Sequence, residues 1–189
     1  MEYSIRKIKD SDREILNQIC IETAVYSHIK NPSGNYARAI ALMFADYYSV
    51  CEKENSFVAV DENDTPKGYI MCAPNFDDYK RKFMAQFSKP LAKLGVIYLL
   101  SQKSSFRKNK KFASEYPSHL HINLLPEMQN QGVGSALIDT LFEHLQAQNI
   151  KGVMLGCYAQ NYGAIKFYSR NGFVELGRSG NEVFMGKKF

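Results

Sequence analysis

Apolar residues recur along this chain in two periods, every second position in some segments and every third or fourth in others. Tyr3 to Ile8 alternates as an edge strand does, and Asp10, Ser11 or Asp12 then offers an N-cap. The helix that follows carries Ile15, Leu16, Ile19 and Cys20. The NPSGN stretch from Asn31 to Asn35 predicts a loop, and Ile40, Met43, Phe44, Tyr47 and Tyr48 at helical spacing predict a second helix. Ser56 to Val60 and Lys67 to Ala73 read as strands joined by the polar turn DENDTP, hence a hairpin. From Asp77 to about Leu100 the pattern is mostly helical, interrupted near Pro90, and it runs out in the polar stretch SQKSSFRKNKK.

The second half is punctuated more sharply. His119 to Leu125 predicts a strand, and Gly132 to Gln148 a helix with Val133, Ala136, Leu137, Leu141 and Leu145 on one face. Val153 to Tyr158 is another strand. Asn161 caps a helix through Arg170, which Asn171-Gly172 ends. Phe173 to Leu176 and Glu182 to Met185 form a last pair of strands around a turn from Gly177 to Asn181. Interleaved helices and strands without repeats predict one mixed sheet with helices on both faces, an α/β (α+β) domain.

Composition adds little to that fold but narrows the setting. The 189 residues suffice for one buried core, and 45% hydrophobic with 23% charged residues is a globular balance. No apolar run is long enough to cross a bilayer, and MEYSIRKIKD lacks the apolar core of a signal peptide. Cys20, Cys51, Cys72 and Cys157 are scattered, never paired as C-x-x-C, and read as reduced core thiols rather than metal ligands. A cytoplasmic protein with no metal is expected. The net charge of +5 comes from one segment: Lys80 to Lys111 holds ten basic residues and no acidic one, so the remaining 14 Lys and Arg face 19 Asp and Glu. A solvated helical face and a lysine-rich loop explain it, and that segment should stay clear of the functional cleft or cover its anion-binding side.

The candidate chemistry sits in QNQGVG, Gln129 to Gly134, between a strand and a helix. Glycines there permit a sharp bend or let a ligand approach the backbone. A P-loop would need a lysine after its last glycine, and a dinucleotide fingerprint would need a third glycine where this chain has Leu137. Neither fits. What remains is Gln-x-x-Gly-x-Gly opening a helix, whose first amides lack internal partners and attract anions.

A second motif follows the next strand: NYGAIKFYSRNGF, with Asn161, Ala164, Phe167, Tyr168, Gly172 and Phe173. The two motifs together, over about Leu120 to Phe173, resemble the GNAT superfamily of N-acetyltransferases. The stretch from Asp77 to Pro117 has no counterpart in a minimal member and stands as a basic insertion in a single domain. The resemblance implies a mixed, mostly antiparallel sheet with splayed central strands and acetyl-CoA as cosubstrate. It places pantetheine on the backbone near Leu124 and Leu125 and the pyrophosphate on the amides from Gln131 to Ser135. The cofactor-binding residues it implies are Leu124, Leu125, Gln129, Gln131, Gly132, Val133, Gly134, Ser135, Asn161, Ala164 and Phe167.

The reaction implied is direct attack of a primary amine, of a small molecule or a protein, on the thioester. Tyr168 takes the role of general acid to the CoA sulfur, because a phenol stays protonated at neutral pH. His121, with His119 on the same side of its strand, either takes the amine proton or is a structural histidine bonded across the cleft. Glu127 is a weaker candidate base. Tyr26, Tyr36, Phe44, Tyr47 and Tyr48 line the acceptor site or belong to the core. A non-catalytic acyl-CoA-binding module of the same fold is the alternative. A nucleic-acid-binding role rests on charge alone. No membrane partner is expected, and a homodimer is compatible with the sequence.

Overall fold

The computed structural model describes residues 3–24 and 33–189. Seven strands form one sheet: β1 (Ser4–Lys7), β2 (Ser56–Val60), β3 (Pro66–Ala73), β4 (Ser118–Leu124), β5 (Gly152–Tyr158), β6 (Val174–Ser179) and β7 (Glu182–Lys188). Their spatial order is β1-β2-β3-β4-β5-β7-β6, and every neighbouring pair is antiparallel except β4 with β5. The pattern of apolar positions predicts the mixed sheet, and the family resemblance implies its mostly antiparallel pairing.

Side chains alternate across the pleat, so each face of the sheet has its own core. On one face lie α1 (Arg13–Ala24), α2 (Gly34–Ala41), α3 (Tyr47–Cys51), α4 (Phe76–Gln86), α5 (Ser88–Leu94) and α6 (Val96–Asn109). They bury Leu16, Ile19, Ile40, Tyr47, Tyr48, Phe83, Leu91 and Phe106 against Tyr69, Met71 and Met154. On the other face α7 (Val133–Ala147) and α8 (Tyr162–Arg170) bury Leu137, Ile138, Leu141, Leu145 and Tyr168 against Ile70, Leu120, Val153 and Leu155.

Between α2 and α3 the chain makes a π-helical turn, Leu42–Asp46. The wider turn keeps Asp46 inside, where Arg13 Nε and Nη2 reach its carboxylate at 2.6 and 2.8 Å and Asn17 Nδ2 at 3.0 Å. The same turn aims Phe44 at β4. Such bulges are frequent at functional sites.

Several boundaries differ from the sequence reading, each for a local reason. Helix breaks fall at Phe87 and Gly95 rather than at Pro90. Pro90 is the third residue of α5, where its missing N–H costs no internal hydrogen bond. The SQKSSFRKN stretch is not a loop but the body of α6: its polar look hides a buried stripe of Gln102, Phe106 and Asn109. Gly177 lies within β6 beside a bulge, and the turn narrows to Gly180-Asn181, with Gly180 at φ +60°. Asn31 and Pro32 of the predicted loop lie outside the described residues. All four cysteines are free, but only Cys20 and Cys72 are core residues, Cys51 and Cys157 being half-buried.

Gly186 of β7 marks a tight passage. A Cβ there would lie 2.7 Å from two ring carbons of Tyr116 and 2.8 Å from Leu176 Cδ1. Gly186→Val should therefore lower stability by about 1–3 kcal/mol through overpacking. Thermal unfolding measures this, and an unchanged melting temperature would mean that Tyr116 and Leu176 yield freely.

Candidate active site

The parallel contact between β4 and β5 is short. It consists of Ser118 opposite Val153 and His119 opposite Met154. Beyond that point β4 stays on β3 as far as Leu124, while β5 stays on β7 as far as Tyr158. The two strands part, and a gap opens toward their C-terminal ends. Leu125 N–H donates to Lys67 O at 2.9 Å, on the β3 side. Peptide groups alternate in direction along a strand, so those of Ile122 and Leu124 face the gap. The Leu124 carbonyl accepts from Gln129 Nε2 at 2.9 Å. The expectation of unpaired backbone at both Leu124 and Leu125 is thus corrected: the Leu125 amide and the Leu124 carbonyl already have partners.

The loop after β4 folds on its own carbonyls. Gln131 Nε2 donates to Glu127 O at 2.5 Å, so both glutamine side chains brace the loop rather than project from it. Asn130 and Gly132 adopt left-handed conformations, φ +59° and +82°. The first amide to bond within α7 is Ala136 N–H, to Gly132 O at 3.0 Å. The amides of Val133, Gly134 and Ser135 precede it and donate to none of the described residues.

The two glycines have different reasons. Gly132 needs its positive φ, and a Cβ there would meet nothing within 4 Å. At Gly134 a Cβ would stand 3.0 Å from Phe167 Cζ and 3.1 Å from Leu124 Cδ1, so this glycine serves close packing of α7, α8 and β4. The single reason first expected for both does not cover Gly134, which is packed; only Gly132 has open space beside its backbone.

On α8 the Asn161 side-chain oxygen accepts from Ala164 N–H at 3.1 Å and so caps the helix. Tyr168 is 8% exposed, its ring against Phe167 and Phe173 at centroid distances of 5.4 and 5.5 Å. Burial, and then the neighbouring Cys157 thiol, push its phenol above the ordinary range. It is fully protonated at neutral pH.

Across the sheet, His119 and His121 share the other face of β4. His119 Nδ1 lies 3.0 Å from Tyr48 Oη, and its ring stacks on Tyr79 at 5.6 Å. His121 has edge contacts with Phe44 at 5.0 Å, Tyr48 at 5.3 Å and His119 at 5.0 Å. Burial lowers His119 to about 4; burial and then His119 hold His121 well below the ordinary imidazole range. Both are neutral at pH 7.

These histidines form one wall of a cavity of about 40 Å³ at the split, with Gly156 of β5 on its far edge. The wall opposite belongs to α6: Gln102, Ser105, Phe106 and Asn109, spaced along one helical face. Glu182 of β7 closes the rim; its Oε1 would be 2.6 Å from a Cβ on Gly156, and its Oε2 takes Lys108 Nζ at 3.1 Å. The basic segment therefore does not stay clear of the cleft, and this wall is uncharged. Arg81, Lys82 and Lys110 pair with Asp78, Glu52 and Asp77 instead.

Of the aromatics expected here, Phe44 lines the cavity, whereas Tyr47 and Tyr48 are core residues beneath it. Tyr36 stacks on Tyr98 at 6.0 Å, and Tyr26 lies outside the described residues. Glu127 stands 3.9 Å from Lys67 in the loop and does not line the cavity. Sequence reading missed Gln102, Ser105, Asn109 and Glu182; a helical-face count across SQKSSFRKN would have found the first three. Among the described residues no cluster of His, Cys, Asp or Glu is placed to hold a metal.

A mixed sheet split at its one parallel contact, with free helix amides at the mouth, defines an acyltransferase architecture. Residues 23–173 match the model of the acetyltransferase (GNAT) family, and the chain belongs to that family. It is similar in structure to SsHAT, at 25% identity and TM-score 0.89, with 100% of this chain and 98% of that one covered. The PaiA N-acetyltransferase of Thermoplasma acidophilum, in complex with coenzyme A, is 18% identical at TM-score 0.67, with both chains covered to 100%. The yncA protein of Salmonella typhimurium, with its cofactor acetyl-CoA, is 15% identical at TM-score 0.60, covering 100% of this chain and 94% of that one.

The buried histidines make stability depend on pH. An unfolded imidazole titrates near 6.5, and His119 in the fold near 4. The folded value is depressed, so the stability of the neutral form is complete above about pH 6.5 and is lost as pH falls toward 4. The melting temperature should decline over that window, and less steeply in His119→Gln. Identical slopes for the two proteins would show that His119 does not carry the effect.

Proposed function

We propose that this protein is an N-acetyltransferase that uses acetyl-CoA as cosubstrate and transfers the acetyl group directly to a primary amine. The observation that carries the reading is the placement of free α7 amides at the mouth of the β4–β5 gap, with Tyr168 on one face and two neutral histidines on the other. The residues fit the cosubstrate. Val133, Gly134 and Ser135 would hold the pyrophosphate at the positive end of α7, and the open side of Gly132 admits it. Ile122 offers its N–H and carbonyl, and Leu124 its N–H, to an extended pantetheine arm. Bound there, acetyl-CoA supplies an acyl group activated as a thioester.

The chain's own groups then divide the proton transfers. The amine nitrogen forms the C–N bond as the C–S bond breaks, and Tyr168 Oη gives its proton to the departing sulfur. His121 accepts the proton lost by nitrogen. Its depressed basicity suffices, because that proton is strongly acidic once the C–N bond has formed. Buried free thiols at Cys20 and Cys72 support a reducing, cytoplasmic setting. Helices α4 to α6 are read as an addition to the minimal family fold within one domain.

Acetyl-CoA should raise the melting temperature, since it binds the native state. Gly132→Val, which must distort a φ of +82°, should weaken that binding. Tyr168→Phe should cut turnover by about 10²-fold or more with acetyl-CoA affinity nearly unchanged. Thiol release across a panel of amines is the deciding assay. Wild-type turnover in Tyr168→Phe, with chemistry rate-limiting, would remove the tyrosine from the mechanism.

A further inference from the structure

The transfer chemistry leaves most of the basic segment unused, and that segment coincides with exposed apolar surface. Of the seven large apolar side chains exposed among the described residues, four meet at one corner of the molecule. They are Val96 at 62%, Ile97 at 67% and Leu100 at 54% on α6, and Tyr36 at 38% on α2. Tyr36 stacks on Tyr98 at 6.0 Å, and Asn35 Nδ2 donates to Leu94 O at 3.1 Å, which fastens the start of α2 to the turn between α5 and α6. Val96, Leu100, Lys103 and Arg107 recur at i, i+4, i+7 and i+11. They form the outer face of α6, opposite its buried Gln102, Phe106 and Asn109.

Charge at this corner has one sign. Helices α2, α5 and α6 contain no Asp or Glu, and they carry Arg38, Lys89, Lys93, Lys103, Arg107 and Lys108. Among the described residues only Lys108 of these six pairs with a carboxylate, that of Glu182. Arg38 and Lys93 also line an apolar groove of about 570 Å³ together with Ile21, Leu42, Pro90 and Leu94. Cations without partners and apolar surface thus adjoin one another twice on the same side of the molecule.

We propose that the corner formed by α2, α5 and α6 docks on an anionic lipid surface. Val96, Ile97 and Leu100 enter the acyl boundary, Tyr36 sits at headgroup level, and Lys93, Lys103 and Arg107 face the phosphates. No spanning segment is needed, and among the described residues no helix is long and apolar enough to be one. A second copy fits the corner poorly. Docked corner to corner, it would set these cations against their own equivalents with no carboxylate between them. Three aliphatic side chains and one ring also fall well short of the about 20–30 residues that each side of a stable protein interface commits. Nucleic acid would use the cations but leave Val96, Ile97 and Leu100 facing water, since aliphatic side chains offer bases no stacking platform. A lipid surface uses both.

Cosedimentation of the full chain with vesicles tests this, using phosphatidylcholine alone and phosphatidylcholine mixed with phosphatidylglycerol. The mixed vesicles should bind at least tenfold more tightly, and the affinity should fall as salt is raised. The triple variant Val96→Ser, Ile97→Ser, Leu100→Ser should lose at least tenfold on mixed vesicles. Lys93→Gln with Lys103→Gln and Arg107→Gln should bring mixed vesicles down to the level of neutral ones. Equal binding to the two vesicle types, or none to either, overturns the proposal, as does wild-type binding by the serine variant. Should the serine variant fail to fold, the glutamine variant decides. A dimer detected by light scattering and abolished by Leu100→Asp would assign the corner to a second copy and overturn it as well. None of these outcomes bears on acetyl transfer, which is measured separately by thiol release.

Discussion

Two residue pairs hold the sheet together at its centre, Ser118 with Val153 and His119 with Met154. The proposed cosubstrate site depends on the ladder stopping there. Had β4 and β5 continued side by side, the peptide groups of Ile122 and Leu124 would be spent on β5 and the sheet would have no opening. Each strand instead keeps its antiparallel partner, β3 or β7, so the split leaves no strand isolated. The split is stable because the helices on both faces span it. Leu120, Val153 and Leu155 share one core with α7 and α8, while Met154 belongs to the other.

The two faces bring different chemistry to that opening. On the α7 side stand free helix amides and a protonated phenol, suited to an anionic thioester and its leaving sulfur. On the α6 side stand two neutral imidazoles and a wall of amide and hydroxyl groups, suited to an uncharged nucleophile. Pleat alternation alone makes this division, since Leu120, Ile122 and Leu124 point one way and His119 and His121 the other. The π-helical turn completes it by bringing Phe44 onto His121 at 5.0 Å.

What could be read from the sequence was whatever a short window encodes. The β4–loop–α7–β5–α8 unit was legible because its signals are local: Asn161 as a cap, Gly132 at a left-handed turn, apolar residues at helical spacing in α7. The split was not legible from residues alone, because β5 is as apolar as a fully paired strand; only family resemblance supplied it. The acceptor wall was hidden for two reasons. Glu182 reaches the rim from the far end of the chain, and Gln102, Ser105 and Asn109 look like solvent-facing residues until α6 is seen to bury Gln102 and Asn109 and to turn Ser105 to the cavity. The basic run around them was legible as charge, and misleading as to place.

The central claim is that the split and the first turn of α7 together hold acetyl-CoA. Hydrogen exchange at single amides, with and without acetyl-CoA, tests it most directly, because the amides named have no protein partner to mask the effect. The account predicts new protection at Val133, Gly134 and Ser135 and at Ile122 and Leu124, with Leu125 N–H little changed, since it already bonds Lys67 O. Protection confined to the α6 side, or none at the start of α7, would contradict it.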